Sequence, residues 1–180
     1  MLRKASNFLS QINEVVGRAT AWLTAILMIL MCYNVLQRYF FGNIIAWRTE
    51  LEWHLFAAVF LLGAAYTMRE DANVRVDVFY ERMNPQKKAW VNILGTLIFV
   101  IPMCSLILFS SYDFVTYSYK IQEISNDPGG LPYRFAFKAL LPIGYFLILI
   151  QSLAMLSRNI RILAGDTVSI ADTPAHQEKL

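Results

Sequence analysis

The stretch AWVNILGTLIFVIPMCSLILFSSY, residues 89–112, contains 24 residues and no charged side chain. An α-helix rises about 1.5 Å per residue and a bilayer core is about 30 Å thick, so about 20 apolar residues cross it. The stretch therefore predicts a transmembrane helix. Two other uncharged runs, 19–37 and 139–157, each have 19 residues and meet the same criterion.

A fourth run, 53–68, has only 16 uncharged residues between Glu52 and Arg69. It reaches full length by extending backward through Glu50 toward Trp47. A charge costs about 3 kcal/mol or more at the membrane centre and much less at its edge. We therefore expect Glu50 and Glu52 at the membrane interface, and spans at about 19–41, 48–68, 86–116 and 138–160.

These runs predict an all-α integral membrane protein with one four-helix membrane domain, residues 1–165, and a disordered tail, 166–180. Apolar residues recur on one helical face of 4–18, which predicts an interfacial amphipathic helix before the first span. Asn84 followed by Pro85 predicts the start of the third helix, and Pro102 should kink it.

Composition supports the membrane class, since 57% of the 180 residues are hydrophobic and 16% are charged. Soluble domains have about 25% charged residues. The basic residues form no block and no stripe interleaved with aromatic residues, which argues against nucleic acid as a partner. Cys32 and Cys104 lie in apolar runs and suggest buried thiols rather than a disulfide framework.

The basic residues predict the orientation. With the N-terminus inside, eleven of the 16 Lys and Arg residues fall on the cytoplasmic side and five on the outer side. The positive-inside rule selects this arrangement, with both termini in the cytoplasm.

Catalytic chemistry has little support in the sequence. The two histidines are His54, at the end of a span, and His176, in the tail, and neither is near a cysteine. No Gly-rich phosphate loop occurs, so we expect no enzyme activity, no cofactor and no metal site. A haem anchor usually needs two histidines on facing helices, and the spans contain one.

The sequence also contains no transport pathway of its own. No span has an ionisable residue at its middle, and no inverted repeat is visible. Such a protein is expected to serve a partner. Small residues at Gly17, Ala21 and Ala25 and within 57–65 allow close helix packing, either inside this bundle or against a partner. The alternatives are a membrane anchor of a redox complex and a small independent channel or exporter.

From about residue 10 to 163 the chain resembles the small membrane subunit, DctQ-like, of tripartite ATP-independent periplasmic (TRAP) transporters. The motifs that carry the resemblance are Arg38-Tyr39-Phe40-Phe41, Trp47 with Glu50, Leu62-Gly63-Ala64-Ala65-Tyr66, Arg69-Glu70, Asn73-Val74-Arg75-Val76-Asp77, Pro128-Gly129-Gly130-Leu131-Pro132-Tyr133-Arg134, Lys138, and Leu141-Pro142-Ile143-Gly144.

The resemblance implies two partners in the bacterial inner membrane and periplasm. A soluble binding protein captures an organic acid, and a large DctM-like membrane subunit carries the acid with sodium ions. The small subunit would brace the large one in the lipid and help to receive the binding protein. The Pro-Gly-Gly form of the third loop resembles the branch for mannitol, chloroaromatic compounds or 2-oxo monocarboxylates.

Ten residues are candidates for partner contacts. We expect Arg69, Arg75 and Asp77, with Glu70, to form an ion-pair network at the inner surface or simply a solvated face. The loop before the last span is expected to dock the binding protein, or else to anchor that span and pack on the large subunit. The candidates are Trp47, Glu50, Arg69, Arg75, Asp77, Glu123, Asp127, Tyr133, Arg134 and Lys138.

Overall fold

The computed structural model describes residues 2–42, 44–72, 80 and 83–165, with side chains from residue 9 onward. Its helices are α1 (Leu2–Phe41), α2 (Ala46–Arg69), α3 (Pro85–Lys120), the short α4 (Arg134–Lys138) and α5 (Leu140–Leu163). Four helical stretches in this part of the chain are long and apolar enough to cross a membrane: Leu9–Phe41, Ala46–Arg69, Pro85–Lys120 and Arg134–Leu163. The predicted all-α membrane fold is confirmed.

The expected spans 19–41, 48–68 and 86–116 lie within α1, α2 and α3, whereas the expected span 138–160 begins at the last residue of α4 and continues into α5. The amphipathic segment 4–18 is the first part of α1, which continues without a break into the first span. The tail 166–180 lies outside the described residues.

Helix α3 begins and bends for local reasons. The Asn84 side chain accepts a hydrogen bond of 2.9 Å from the Lys87 N–H and Pro85 takes the first helical position, as predicted. Before Pro102, residues Thr96–Val100 form a π-helical turn, and Ile101 N–H bonds to Thr96 O, five residues back. A proline ring clashes with the carbonyl four residues earlier, and a widened turn relieves that clash.

Helix α5 is the central element, since it packs against α1, α2 and α3. Its approach to α2 depends on Gly144, because a Cβ there would lie 2.8 Å from Leu61 Cβ and 3.0 Å from Leu61 O. Helix α1 meets α2 in the same way, since a Cβ on Gly17 would lie 2.3 Å from the Tyr66 ring. Small residues thus bring the helices together where lipid gives no hydrophobic drive between them.

The remaining small residues divide between the interior and the surface. Ala58 and Ala65 of α2 are buried inside the bundle, whereas Ala21 and Ala25 of α1 are exposed. Ala58 and Ala65 therefore pack within this chain, and Ala21 and Ala25 do not. Most large apolar side chains also point outward, as in a lipid-facing surface.

Polar contacts join helices inside the bundle. Asn13 Nδ2 donates to Gln151 Oε1 at 2.9 Å, which joins α1 to α5. Asn92 of α3 donates to Asn159 of α5 at 3.4 Å. Buried amides need partners in a low dielectric, so these contacts restrict how the helices can rotate about their axes.

The contact between Gly144 and Leu61 generates a stability prediction. Gly144→Ala should lower the thermal unfolding midpoint in detergent, because overpacking against backbone costs about 1–3 kcal/mol. Gly95→Ala is the control, since nothing lies within 4 Å of a Cβ at Gly95. That change should leave the midpoint unchanged or raise it, because alanine in place of glycine inside a helix adds up to about 1 kcal/mol to the free energy of unfolding. Equal midpoints for the two variants would contradict the close approach of α2 and α5.

Candidate functional site

Glu50, near the start of α2, lies under the loop that joins α3 to α4 and is only 6% exposed. Its Oε2 accepts a hydrogen bond of 2.6 Å from the Leu131 N–H. Its Oε1 accepts a hydrogen bond from the Ser125 hydroxyl. The loop thus closes over a carboxylate carried by a membrane span. We call Glu50, Ser125, Gly130 and Leu131 the clasp.

The loop has a compact shape of its own. Ser125 N–H donates to Leu131 O at 3.2 Å, and Gly130 N–H donates to Asp127 O at 2.9 Å. Gly129 has a φ of +76°, a conformation that glycine adopts without strain. Pro128 and Pro132 each hold φ near −65°, so the backbone has few alternatives. Residues 125–133 accordingly form no helix.

Gly130 allows the loop to approach the carboxylate. A Cβ at this position would lie 2.4 Å from Ser125 Cβ and 2.8 Å from Glu50 Oε2. No ordinary side chain fits in that space. The second glycine of the Pro-Gly-Gly motif is therefore required by packing against Glu50.

An ion pair ties the start of the loop to its end. Lys138 Nζ donates to Glu123 Oε2, and the Lys138 ammonium lies 4.3 Å from the centre of the Phe114 ring. The Lys138 ammonium beside Glu123 holds the pKa of that carboxyl below its ordinary value of 4.5. Arg134 N–H also donates to Glu123 O, at 3.1 Å. Both ends of the loop are therefore anchored to helices.

Aromatic side chains pack beneath the loop. The His54 ring lies 3.9 Å from the Phe137 ring, centre to centre, and its Nδ1 lies within hydrogen-bond distance of Glu50 O. Phe135 contacts Tyr119 and Tyr133 edge to face, with ring centres 5.1 Å and 6.0 Å apart. His54 is thus part of the packing between α2 and α4.

Most of the predicted partner-contact residues meet at this end of the bundle, which we call the loop end. Glu50, Glu123, Arg134 and Lys138 hold the loop through the contacts above. Asp127 and Tyr133 are exposed on its surface. Trp47 lies at the same end, half-exposed, with the Arg48 guanidinium 5.5 Å from its ring.

Arg69 lies at the opposite end of α2. Its guanidinium bonds to Glu70 at 2.6 Å and to Glu14 of α1 at 2.8 Å. Part of the predicted ion-pair network therefore exists, and Glu14 is a member that sequence analysis did not identify. Arg75 and Asp77 lie outside the described residues.

Sequence analysis also did not identify the groups within this chain that bond to the predicted residues. Ser125, Gly130 and the Leu131 amide hold Glu50, and Asn34 of α1 donates to Glu52 at 2.8 Å. The one sequence signal was the pair of carboxylates beside an otherwise apolar run, because such groups need donors nearby. The pattern does not indicate which donors they find.

The polar groups of the loop end hold the loop in place. No group of three or more His, Cys, Asp or Glu side chains that could hold a metal ion occurs in the described ranges.

A family model described as "Tripartite ATP-independent periplasmic transporters, DctQ component" matches residues 27–162. The chain belongs to this DctQ family.

A relative supports the same assignment. The DctQ chain is 28% identical over 134 residues to a Haemophilus influenzae protein named as a candidate TRAP transporter small permease protein. The match covers 74% of this chain and 81% of the relative. No solved structure matches the chain.

This DctQ chain is therefore a multi-pass membrane protein and a small subunit of a TRAP transporter. The resemblance inferred from its motifs is confirmed. The clasp and the Glu123–Lys138 pair lie inside the matched region, whereas Glu14 lies before it.

The clasp predicts that Glu50 controls the order of the loop. Glu50→Ala leaves the Leu131 N–H and the Ser125 hydroxyl without their acceptor. Backbone amide exchange in 121–133 should then rise by roughly tenfold or more, since hydrogen bonds to charged groups are the stronger ones. Hydrogen exchange followed by mass spectrometry of the detergent-solubilised protein measures this.

Glu52→Ala is the matched control, because Glu52 accepts from Asn34 of α1 and forms no hydrogen bond or ion pair with the loop among the described residues. Its loop should exchange as in the wild type. If both variants leave exchange in 121–133 unchanged, Glu50 does not hold the loop.

Proposed function

We propose that this DctQ subunit braces a large DctM-like membrane subunit and presents the clasped loop to a periplasmic binding protein. The complex would take up an organic acid together with sodium ions. The observation that carries the proposal is the clasp, which immobilises an exposed loop on a bundle that has an outward apolar surface. The role is that of a transport component and not of an enzyme.

The interior of the bundle gives no support for independent transport. Among the described residues Glu50 is the one buried side chain of the Asp, Glu, Lys, Arg and His types, and it is bonded to the loop. The other buried polar groups are amides and hydroxyls of small side chains, such as Asn13 and Gln151, which bond to each other. A substrate pathway would need polar groups that remain available along its length. This disfavours the channel or exporter alternative.

A role as a redox anchor is disfavoured for a similar reason. His54 is the one histidine of the spans, and its ring packs on Phe137 with Nδ1 next to a backbone carbonyl. No second imidazole faces it across the described bundle. The family assignment also names a transporter component.

We further propose that the loop end faces the periplasm and that both termini are cytoplasmic. The basic residues support this, with eleven on the termini side and five on the loop side. The membrane would be the bacterial inner membrane, where a periplasmic binding protein can reach the loop.

Reporter fusions test the orientation. Fusions after residues 72 and 165 should give cytoplasmic signals, and an insertion near residue 127 should give a periplasmic one, because the positive-inside rule places the loops in that order. A periplasmic signal from the fusion after residue 72 would reverse the orientation.

The exposed part of the loop suits transient recognition. Asp127 offers a carboxylate and Tyr133 an aromatic ring that is 59% exposed. A loop that is already ordered loses little entropy on docking. Glu123 is less suited to direct contact, because Lys138 already pairs with it. Asp127 is therefore the cleaner position for testing recognition.

Reconstituted uptake tests the proposed function. Proteoliposomes holding the DctQ and large subunits should take up substrate when binding protein and an inward sodium gradient are present. The DctQ subunit alone should not. Asp127→Lys should require severalfold more binding protein for the same rate, because a reversed charge opposes the partner's surface. Co-purification of the two membrane subunits should be unchanged.

Lys87→Glu is the control, a charge reversal on an exposed side chain at the termini end. It should leave the dependence on binding protein as in the wild type. Uptake by the DctQ subunit alone would refute the scaffold role. An unchanged dependence in Asp127→Lys would assign docking to the large subunit.

A further inference from the structure

A groove of about 330 Å³ lies between α3 and α5, just below the loop end. Four apolar side chains and two serines line it: Leu106, Ile107, Ser110, Ser111, Phe114 and Leu141. Its upper limit is Phe114, the ring that contacts the Lys138 ammonium. From Leu106 to Phe114 it follows about two turns of α3, or about 12 Å.

The polar groups at this groove lack partners. Ser111 is 2% exposed and lines the groove, yet its hydroxyl makes no hydrogen bond within the described residues. The Ser110 hydroxyl, at the surface, is equally unpaired there. In α5, by contrast, Ser152 and Ser157 each donate to a backbone carbonyl. The Ser118 hydroxyl of α3 also has no hydrogen-bond partner among the described residues, but it is buried inside the bundle.

One turn beyond the serines, Asp113 is exposed on the same helix and forms no ion pair in the described part of the chain. Paired carboxylates at this end, such as Glu50 and Glu123, have their donors within this chain. Asp113 therefore has charge available for a partner. A lipid acyl chain has no hydrogen-bond donor for Asp113 or for the serines, whereas a helix of a partner protein can carry one.

The exposed face beside the groove has the spacing of a helix-packing seam. Met103, Leu106, Ser110, Asp113 and Tyr117 follow one another at intervals of three and four residues, and all are exposed. Such a repeat keeps one face toward a partner helix in left-handed packing. Ser110, in the middle, is small enough for close approach. We call these five residues the α3 seam.

We propose that the α3 seam receives a transmembrane helix of the large membrane subunit. One apolar side chain of that helix fills the groove, and a basic or amide side chain near its periplasmic end pairs with Asp113. The inference rests on the proposed function, because it locates the surface through which the scaffold holds its partner.

Two variants change the seam without removing internal contacts. Ser110→Leu places a large side chain at the mouth of the groove, and Asp113→Lys reverses the exposed charge. Ala25→Leu is the comparison, because it makes a small-to-leucine change on the exposed face of α1, the alternative surface for a partner helix. Each variant carries the same affinity tag and is co-expressed with the large subunit. The ratio of large to small subunit is then measured after purification.

We expect Ser110→Leu and Asp113→Lys each to lower this ratio by roughly tenfold, the scale of one lost interface contact. The yield of the small subunit itself should stay constant. Ala25→Leu should keep the wild-type ratio. As a second readout, a photo-crosslinking residue at position 106 should give a product with the large subunit, and one at position 25 should not.

The outcomes separate this inference from the proposed function. If the wild-type chain does not retain the large subunit, the scaffold role itself fails. If it does, but crosslinks form from position 25 and not from 106, another face holds the partner and the seam is wrong. If Ser110→Leu keeps the large subunit and loses only bound phospholipid in mass spectrometry, the groove is a lipid site and the inference is overturned.

Discussion

The Glu50 carboxylate sets the arrangement of the whole loop end. A carboxylate that is withdrawn from water needs donors, because its desolvation is costly. Here the donors are the Leu131 amide and the Ser125 hydroxyl, both from the loop between α3 and α4. To supply them, the loop must fold back over the start of α2, which is possible because Gly130 has no side chain. The exposed positions of the loop are consequently fixed relative to the membrane spans.

The clasp also explains why the loop end is one unit rather than two separate connections. Glu50 belongs to α2, whereas Glu123 and Lys138 border the loop on the sides of α3 and α4. His54 and Phe137 pack α2 against α4 between these two polar ties. A substitution at any of these positions is therefore expected to alter the position of the exposed segment around Asp127. A surface that must recognise a partner benefits from such support, since less order has to be gained on binding.

The two surfaces of α3 show how the protein divides internal from external packing. Toward α5, Asn92 finds Asn159, and Ala89 and Ile93 are buried. Away from the bundle, Ser110 and Asp113 have no partner within the described residues. In a membrane the apolar side chains do not distinguish inside from outside, because lipid is as apolar as leucine. On a lipid-exposed helix, polar groups without partners are therefore what distinguishes a face that packs against another protein. In α3, Ser110 and Asp113 lie along one such face.

The sequence by itself determined the fold class, the number of spans and the start of α3 at Asn84 and Pro85. It also carried the family motifs. These depend on local properties, since charge-free length decides membrane crossing and capping involves residues three apart. Only the tertiary structure decided the polar pairing. Glu50 bonds across 81 residues to Leu131 and Asn13 across 138 to Gln151. Such pairs follow from the rotation and crossing of the helices, which depend on close contacts such as that of Gly144 with Leu61. Hydropathy does not describe such contacts. Ser111 and Ser152 therefore look alike in the sequence, although Ser111 borders a groove and Ser152 lies in the core.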